Sequence, residues 1–197
     1  MNILYSDRDL AVILKPVGLD AEHDVPQKLK EALGGDIFPI HRLDLNVGGV
    51  MVYARTKQAA ATLSKAVQEG TLVKEYRALV HGTPPESGTW QDFLFKDSRI
   101  NKVFVVKKER KGVKMASLEF TRLTETDPSL VHITLHTGRS HQIRVQFASR
   151  GFPLVGDRKY GSRDESAAPM LFSCRIAFPW KGQQKVYEAF PEWGDIG

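Results

Sequence analysis

Residues 41–56 read HRLDLNVGGVMVYART, and the fold turns on how this stretch divides. Its second half, from Gly49 to Thr56, is dominated by apolar and β-branched residues of strand type. Its first half is of another kind: Arg42 and Asp44 stand two positions apart, and Gly48 and Gly49 follow shortly after. A charged pair near glycines is how a loop brings a carboxylate to a surface where something else must come close, because glycine removes the side chain that would keep a neighbour away. The same glycines serve backbone geometry equally well. The stretch predicts a loop that displays Asp44 and runs into a strand.

Working outward, LAVILK (Leu10 to Lys15) reads as a buried strand ended by Pro16 and Gly18, and PQKLKEALGG as a short helix closed by glycines. On the other side, Lys57 to Glu69 predicts a helix with Ala59, Leu63, Ala66 and Val67 on one face, Thr56 as N-cap and Gly70 as the residue after its end. TLVKEYRALVHG alternates, and strands continue through GTWQDFLF, KVFVV, ASLEFTRL and SLVHITLHT. A further helix from Ser140 to Arg150, capped by Ser140 and stopped by Gly151, precedes a final antiparallel pair around MLFSCRIAF and QQKVYEAF. A strand-rich chain with few helices and hairpin-like spacings predicts an α+β fold around an antiparallel or mixed sheet.

Composition bounds the answer. A chain of 197 residues that is 42% hydrophobic buries one sizeable core, so a single domain over 1–197 is expected. Lys plus Arg number 28 against 23 Asp plus Glu, a formal charge of +5, which favours a polyanionic partner. The single cysteine, Cys174, excludes an internal disulfide and a Cys-based zinc site and fits a reducing compartment. No signal-peptide pattern opens the chain and no apolar run approaches bilayer-spanning length, which points to a cytoplasmic protein that does not enter a membrane.

Two more segments carry chemistry. TGRSHQIRVQFASRGFPLVGDRKYG, residues 137–161, gathers Arg139, His141, Gln142 and Arg144 where a strand gives way to a helix, a setting suited to phosphates or carboxylates. NKVFVVKKERKGVKM, residues 101–115, places Lys102, Lys107, Lys108, Arg110, Lys111 and Lys114 around a turn at Gly112. Read as a nucleic-acid contact, this basic hairpin clamps phosphates without reading sequence; read plainly, it is a solvated hairpin. His41 and His141 lack a carboxylate or Cys partner at metal-ligand spacing, so no metal site is expected and His141 is read as a hydrogen-bonding residue. HRLDLN has its Asp one position away from the kinase catalytic-loop pattern, and no Gly-rich phosphate loop or DFG accompanies it. A retaining glycosidase needs a second carboxylate, and none stands out.

Taken together, KPVGL (Lys15 to Leu19), HRLD followed by Gly49, KEYRALVHG, and TGRSHQIRV with GFPLVGDRKYG resemble the RluA-type family of RNA pseudouridine synthases, in the same order and over nearly the whole chain. The resemblance implies a catalytic domain with a mixed, mostly antiparallel sheet, flanking helices and a central RNA-binding cleft. Because the chain begins almost at the first motif, it resembles the minimal members, without a separate N-terminal RNA-binding domain. The implied partner is transfer or ribosomal RNA, the implied state a monomer. No cofactor, nucleotide cofactors included, is called for by a redox-neutral isomerisation.

By the same resemblance Asp44 is the catalytic carboxylate, attacking either the ribose anomeric carbon or the uracil ring. Arg144 pairs with it and keeps it ionised. Arg42 enters the space left by the flipped uridine. Tyr76 packs on the flipped base, where a proton relay is useful, Lys74 supports the site, and Ile143 forms apolar wall. Lys102 lies in a stretch similar to the family's lysine-bearing loop. Three departures stand out: Val47-Gly48-Gly49 where the family has Thr-Ser-Gly, Ser140 where Thr is common, and LFSCRIAF in place of a Leu-His-Ala pattern. Val47 and Gly48 make a non-catalytic RNA-binding or RNA-chaperone protein on the same scaffold the rival reading. Retention of Asp44, Tyr76 and Arg144 together argues against it.

Overall fold

A computed structural model describes residues 1–166 and 168–194. In chain order the elements are β1 (Asn2–Ser6), β2 (Leu10–Lys15), α1 (Asp24–Leu33), β3 (Phe38–Pro39), β4 (Gly48–Ala54), α2 (Lys57–Gln68), β5 (Val73–Val80), β6 (Ser87–Asp97), β7 (Lys102–Val106), β8 (Val113–Arg122), β9 (Ser129–Leu135), α3 (Gln142–Ala148), β10 (Leu171–Trp180) and β11 (Gln183–Glu188). Short 3-10 turns cover Arg158–Tyr160 and Glu192–Gly194. Among the described residues the chain divides into two compact units, one built from Met1–Glu75 with residues 172–194, the other from Tyr76–Leu171. Among the described residues, no helix is long and apolar enough to cross a membrane.

In the first unit the strands run in the order β1, β2, β4, β10, with β11 on β10 and β3 on β4. β2 and β4 pair antiparallel from Leu10 opposite Ala54 to Lys15 opposite Gly49. β10 joins β4 in parallel, Phe172 opposite Gly48 and Ser173 opposite Gly49, so the sheet is mixed as the chain's pattern implied. All seven residues of β4 are buried, the signature of a strand covered on both faces. α2 lays Ala59, Leu63 and Ala66 on a core that includes Val50, Val52, Ile176 and Phe178. Its ends follow the sequence expectation: the Thr56 side chain accepts from the Ala59 N–H, and Gly70 turns the chain at φ +71°. The expected C-terminal pair is β10 with β11, antiparallel. β1 has no counterpart in the expectation, because its residues alternate between exposed and half-buried, a weak pattern that pairing with β2 stabilises.

In the second unit the order is β5, β9, β8, β6, β7, with antiparallel ladders joining β9 to β8, β8 to β6 and β6 to β7. Here the sequence reading needs correcting. β7 and β8 do not form a hairpin with each other, because the long β6 lies between them and pairs with both. The basic segment 107–112 therefore leaves β7 beside Phe93 and joins β8 beside Phe95, crossing β6 there, with Arg110 5.2 Å above the Phe95 ring. The helix expected from Ser140 to Arg150 is also shorter, Gln142–Ala148, and Ser140 does not cap it: the N-cap position is His141, in the left-handed conformation at φ 50° and with no side-chain cap. The Gln142 side chain closes this corner instead, its Oε1 accepting from the Arg139 N–H at 3.0 Å and the Thr137 hydroxyl at 2.7 Å.

Candidate active site

The Asp44 loop is held from beneath. Leu43 and Val47 are buried and flank a half-exposed Asp44, and the Asp44 carbonyl accepts the Val47 N–H at 3.0 Å to close a tight turn. The buried Lys15 ammonium donates to the carbonyls of Pro16 (3.0 Å), Leu45 (3.3 Å) and Val47 (2.9 Å), and the Gly18 N–H adds a 2.8 Å bond to Leu45. Burial pushes Lys15 down to about 8, against the opposing pull of Asp20, Asp44 and Asp24. Lys15, the first residue of KPVGL, thus staples the first motif to the second. A buried lysine must find acceptors, so its position at the end of an apolar strand was the signal for this role.

His41 opens the loop by tying it to β4: its Nε2 accepts the Val52 N–H at 3.2 Å. Burial, with the Lys74 charge adding in the same direction, pushes the imidazole down to about 3. It is a neutral anchor. Burial also lowers Lys74 itself. Arg42 is exposed and pairs with Glu22 at 3.3 Å, both side chains about half in solvent, a kind of pair that contributes little stability. The glycines resolve toward backbone geometry. A Cβ on Gly49, at φ +131°, would lie 2.3 Å from the Ser173 carbonyl oxygen and 2.5 Å from its nitrogen, and one on Gly48 would lie 3.1 Å from the Lys15 carbonyl. Parallel pairing with β10 therefore requires Gly49. Val47, 2% exposed, fills a dry position of threonine's shape, which accounts for the missing hydroxyl.

In the second unit, Arg144 on α3 is 8% exposed and makes a two-pronged ion pair with the buried Asp157, Nε to Oδ2 at 2.7 Å and Nη2 to Oδ1 at 2.8 Å. Its guanidinium lies 5.1 Å from the Tyr160 ring centre. The Tyr160 hydroxyl accepts from the Val103 N–H at 2.9 Å and shares a 2.8 Å hydrogen bond with His141 Nδ1. Asp157 and Tyr160 both belong to GFPLVGDRKYG, and individual roles for them escaped the sequence reading. A buried arginine demands a carboxylate, and Asp157 stands in the same segment.

His81, near the end of KEYRALVHG, bonds through Nε2 to Asp164 Oδ2 at 2.7 Å, and that carboxylate also accepts the Gly156 N–H at 2.9 Å and the Ser162 hydroxyl. These bonds, led by the one from Ser162, hold Asp164 well below the usual carboxylate range. Three motif segments are thus fixed to one another around Arg144. Gln142 is buried and turned inward, with Nε2 donating to the Ser117 carbonyl at 3.0 Å, so it shapes the corner that presents its neighbours. Arg139 is exposed and donates from Nε to the Met115 carbonyl at 2.9 Å. Ile143 and Tyr76 are buried, at 3% and 5% exposure. Lys102 is the first residue of β7, its ammonium 5.7 Å from the Phe104 ring centre and 5.6 Å from that of Tyr160. Lys107, Lys108 and Lys111 are exposed.

Residues 9–149 match the family described as RNA pseudouridylate synthase. The chain is 33% identical, over 95% of its length and 68% of the relative's, to an uncharacterized RNA pseudouridine synthase of Aquifex aeolicus. It is 31% identical, over 82% of its length and 74% of the relative's, to the tRNA pseudouridine synthase C of Haemophilus ducreyi. Other curated relatives are longer, and the chain spans 42% to 58% of four of them. Among solved structures, the human RNA pseudouridylate synthase domain containing 1 superposes with a TM-score of 0.83 over 96% of this chain and 83% of its own, at 24% identity. That likeness is one of fold.

Proposed function

The chain belongs to the RNA pseudouridylate synthase family, and from that premise we propose that it isomerises specific uridines of transfer or ribosomal RNA to pseudouridine with Asp44 as the catalytic carboxylate. The observation that carries this reading is the Asp44 loop itself: a half-exposed carboxylate on a backbone pinned by the three carbonyl bonds of Lys15 and by buried Leu43 and Val47. Such a fixed carboxylate is what covalent catalysis needs, because positioning before reaction removes much of the entropic barrier.

The isomerisation conserves composition. The bond from uracil N1 to the ribose anomeric carbon breaks, a bond from C5 to that carbon forms, the C5 proton leaves to solvent and N1 gains one. Asp44 holds the reacting fragment as an ester or adduct between these steps. Arg144 supplies the positive charge assigned to it by the motif resemblance; Asp157 takes two of the five guanidinium donors and fixes its plane. Tyr76 packs on the flipped base beside Ile143, with Lys74 in support, and Arg42, whose ion pair with Glu22 lies in solvent, enters the vacated stack. Arg139, His141 and the lysines at 102, 107, 108 and 111 meet the phosphate backbone.

The rival, a non-catalytic RNA-binding protein, drew its support from Val47 and Gly48. Both have packing reasons here, since Val47 is dry and Gly48 is crowded by the Lys15 carbonyl. Asp44→Asn separates the readings. The nearly isosteric amide preserves fold and RNA affinity but is a far poorer nucleophile, so tritium release from RNA labelled at uracil C5 should fall to background while filter binding is unchanged. Multiple turnover by Asp44→Asn, free of host synthase, removes Asp44 from its role. Carbodiimide-stop sequencing in a strain lacking the protein then names the RNA and the uridine.

A further inference from the structure

An antiparallel sheet with one face to water shows polar residues on that face, and the outer face of β6 and β8 begins that way, with Thr89 and Gln91 on one strand and Ser117, Glu119 and Thr121 on the other. Toward β7 it changes. Register places Val106, Phe93 and Met115 side by side across the three strands, and beside that row Phe104, Phe95 and Val113. Residues directly opposite share a face, and the intervening positions, Leu94, Val103 and Ala116, pack with Val145 of α3 on the other side. The six are thus turned away from the core: Phe104 is 39% exposed and Met115 43% exposed, and the other four are partly exposed. A contiguous exposed apolar patch on a soluble domain marks a surface that meets something.

Its charge says what. The segment 107–111 beside the patch carries Lys107, Lys108, Arg110 and Lys111 against one acid, Glu109. Arg110 lies 5.2 Å from the Phe95 ring centre and Lys102 5.7 Å from that of Phe104. An exposed ring such as Phe104, flanked by cations, supplies the two halves of a single-stranded nucleic-acid site, in which bases stack on aromatics while phosphates meet Lys and Arg. Two copies of the chain meeting face to face would bring these cations together, whereas a polyanion neutralises them. Resting on the RNA reading above, we propose that the outer face of β6, β7 and β8 is a stacking platform on which Phe104 holds an unpaired base of the substrate RNA, with the 107–111 cations on its backbone. This surface acts on bases other than the one transformed, and it selects for RNA whose flanking nucleotides are unpaired.

The test uses the full chain and a short fluorescein-labelled oligouridine. Phe104→Ala should weaken binding by roughly 5- to 150-fold, the loss of one base–aromatic stack, and Phe104→Leu should lose nearly as much while keeping apolar bulk. Phe104→Trp should bind at least as well as the parent. None of the three should alter the dependence of affinity on salt, because no phosphate contact is removed. Replacing Lys107 and Lys108 by Ala should flatten that dependence by roughly 0.7 per lost contact. If the parent binds and the Phe104→Ala and Phe104→Leu proteins bind equally well, the platform is overturned and the synthase reading stands. If Phe104→Ala instead dissolves a dimer seen by sedimentation and leaves RNA affinity intact, the face is a self-association surface and the proposal fails. A parent protein that binds no RNA overturns the platform together with the RNA reading beneath it.

Discussion

At the scale of single residues, the loop that carries Asp44 depends on groups whose ordinary protonation has been changed by burial. His41 is an unusual anchor for a chain this basic, since its imidazole, pushed down to about 3 from an ordinary 6.5, stays neutral well into acid. The unfolded chain takes up a proton near pH 6.5 that the folded chain refuses until about 3, so stability from this group is complete above 6.5 and drains away as the pH falls through that window. The slope is roughly 1.4 kcal/mol per pH unit at its steepest. His41→Gln, which retains an acceptor for the Val52 N–H, should flatten the loss of stability between pH 6 and 4, measured by urea unfolding. A variant as acid-sensitive as the parent would mean that other groups dominate this window. The motif letters HRLD were legible in the sequence; that the histidine is structural was not, because its bond to the Val52 N–H and the Lys74 charge near it arise only once the chain is folded. Likewise the need for Gly49 is invisible until Ser173 is seen against it.

At the scale of elements, α2 was readable end to end because its cap, apolar face and terminal glycine are all local signals. α3 was not, since the corner before it is held by the Gln142 side chain through Arg139, Thr137 and a distant partner, Ser117 on β8. The pairing of β7 and β8 with β6 rather than with each other was equally hidden, because turn chemistry at Gly112 indicates only that the chain reverses. The tie between α3 and residues 156–161 gives a test at this scale. Asp157→Ala strips a buried guanidinium of its two-pronged partner, which typically costs about 3–5 kcal/mol, and it lets Arg144 tilt. Turnover should fall along with the urea midpoint. Asp157→Asn, which keeps an acceptor, should recover part of the stability. A fully active Asp157→Ala protein would show that the orientation of Arg144 is set elsewhere.

At the scale of the molecule, order along the chain and order in space diverge. The resemblance of four ordered motifs made the α+β class and the mixed sheet legible, while composition alone could not reveal that the chain builds two compact units and returns to the first after finishing the second. The parallel pairing of β4 with β10, sealed by the Ser173 hydroxyl donating to the Val50 carbonyl 123 positions away, sets a timetable. Joining distant segments carries a larger loop-closure cost and slows folding. The β6–β8 ladder links near neighbours and can zip early. In pulse-labelling hydrogen exchange during refolding, amides of β6 and β8 should become protected before those of β10, and simultaneous protection would refute this sequence of events. On the ribosome, Gly49 must wait for Ser173 to be synthesised. Until then the Gly48–Gly49 end of β4 lacks its parallel neighbour, so a nascent chain stalled before that point would show unpaired backbone beside the Asp44 loop, a natural point of engagement for a chaperone.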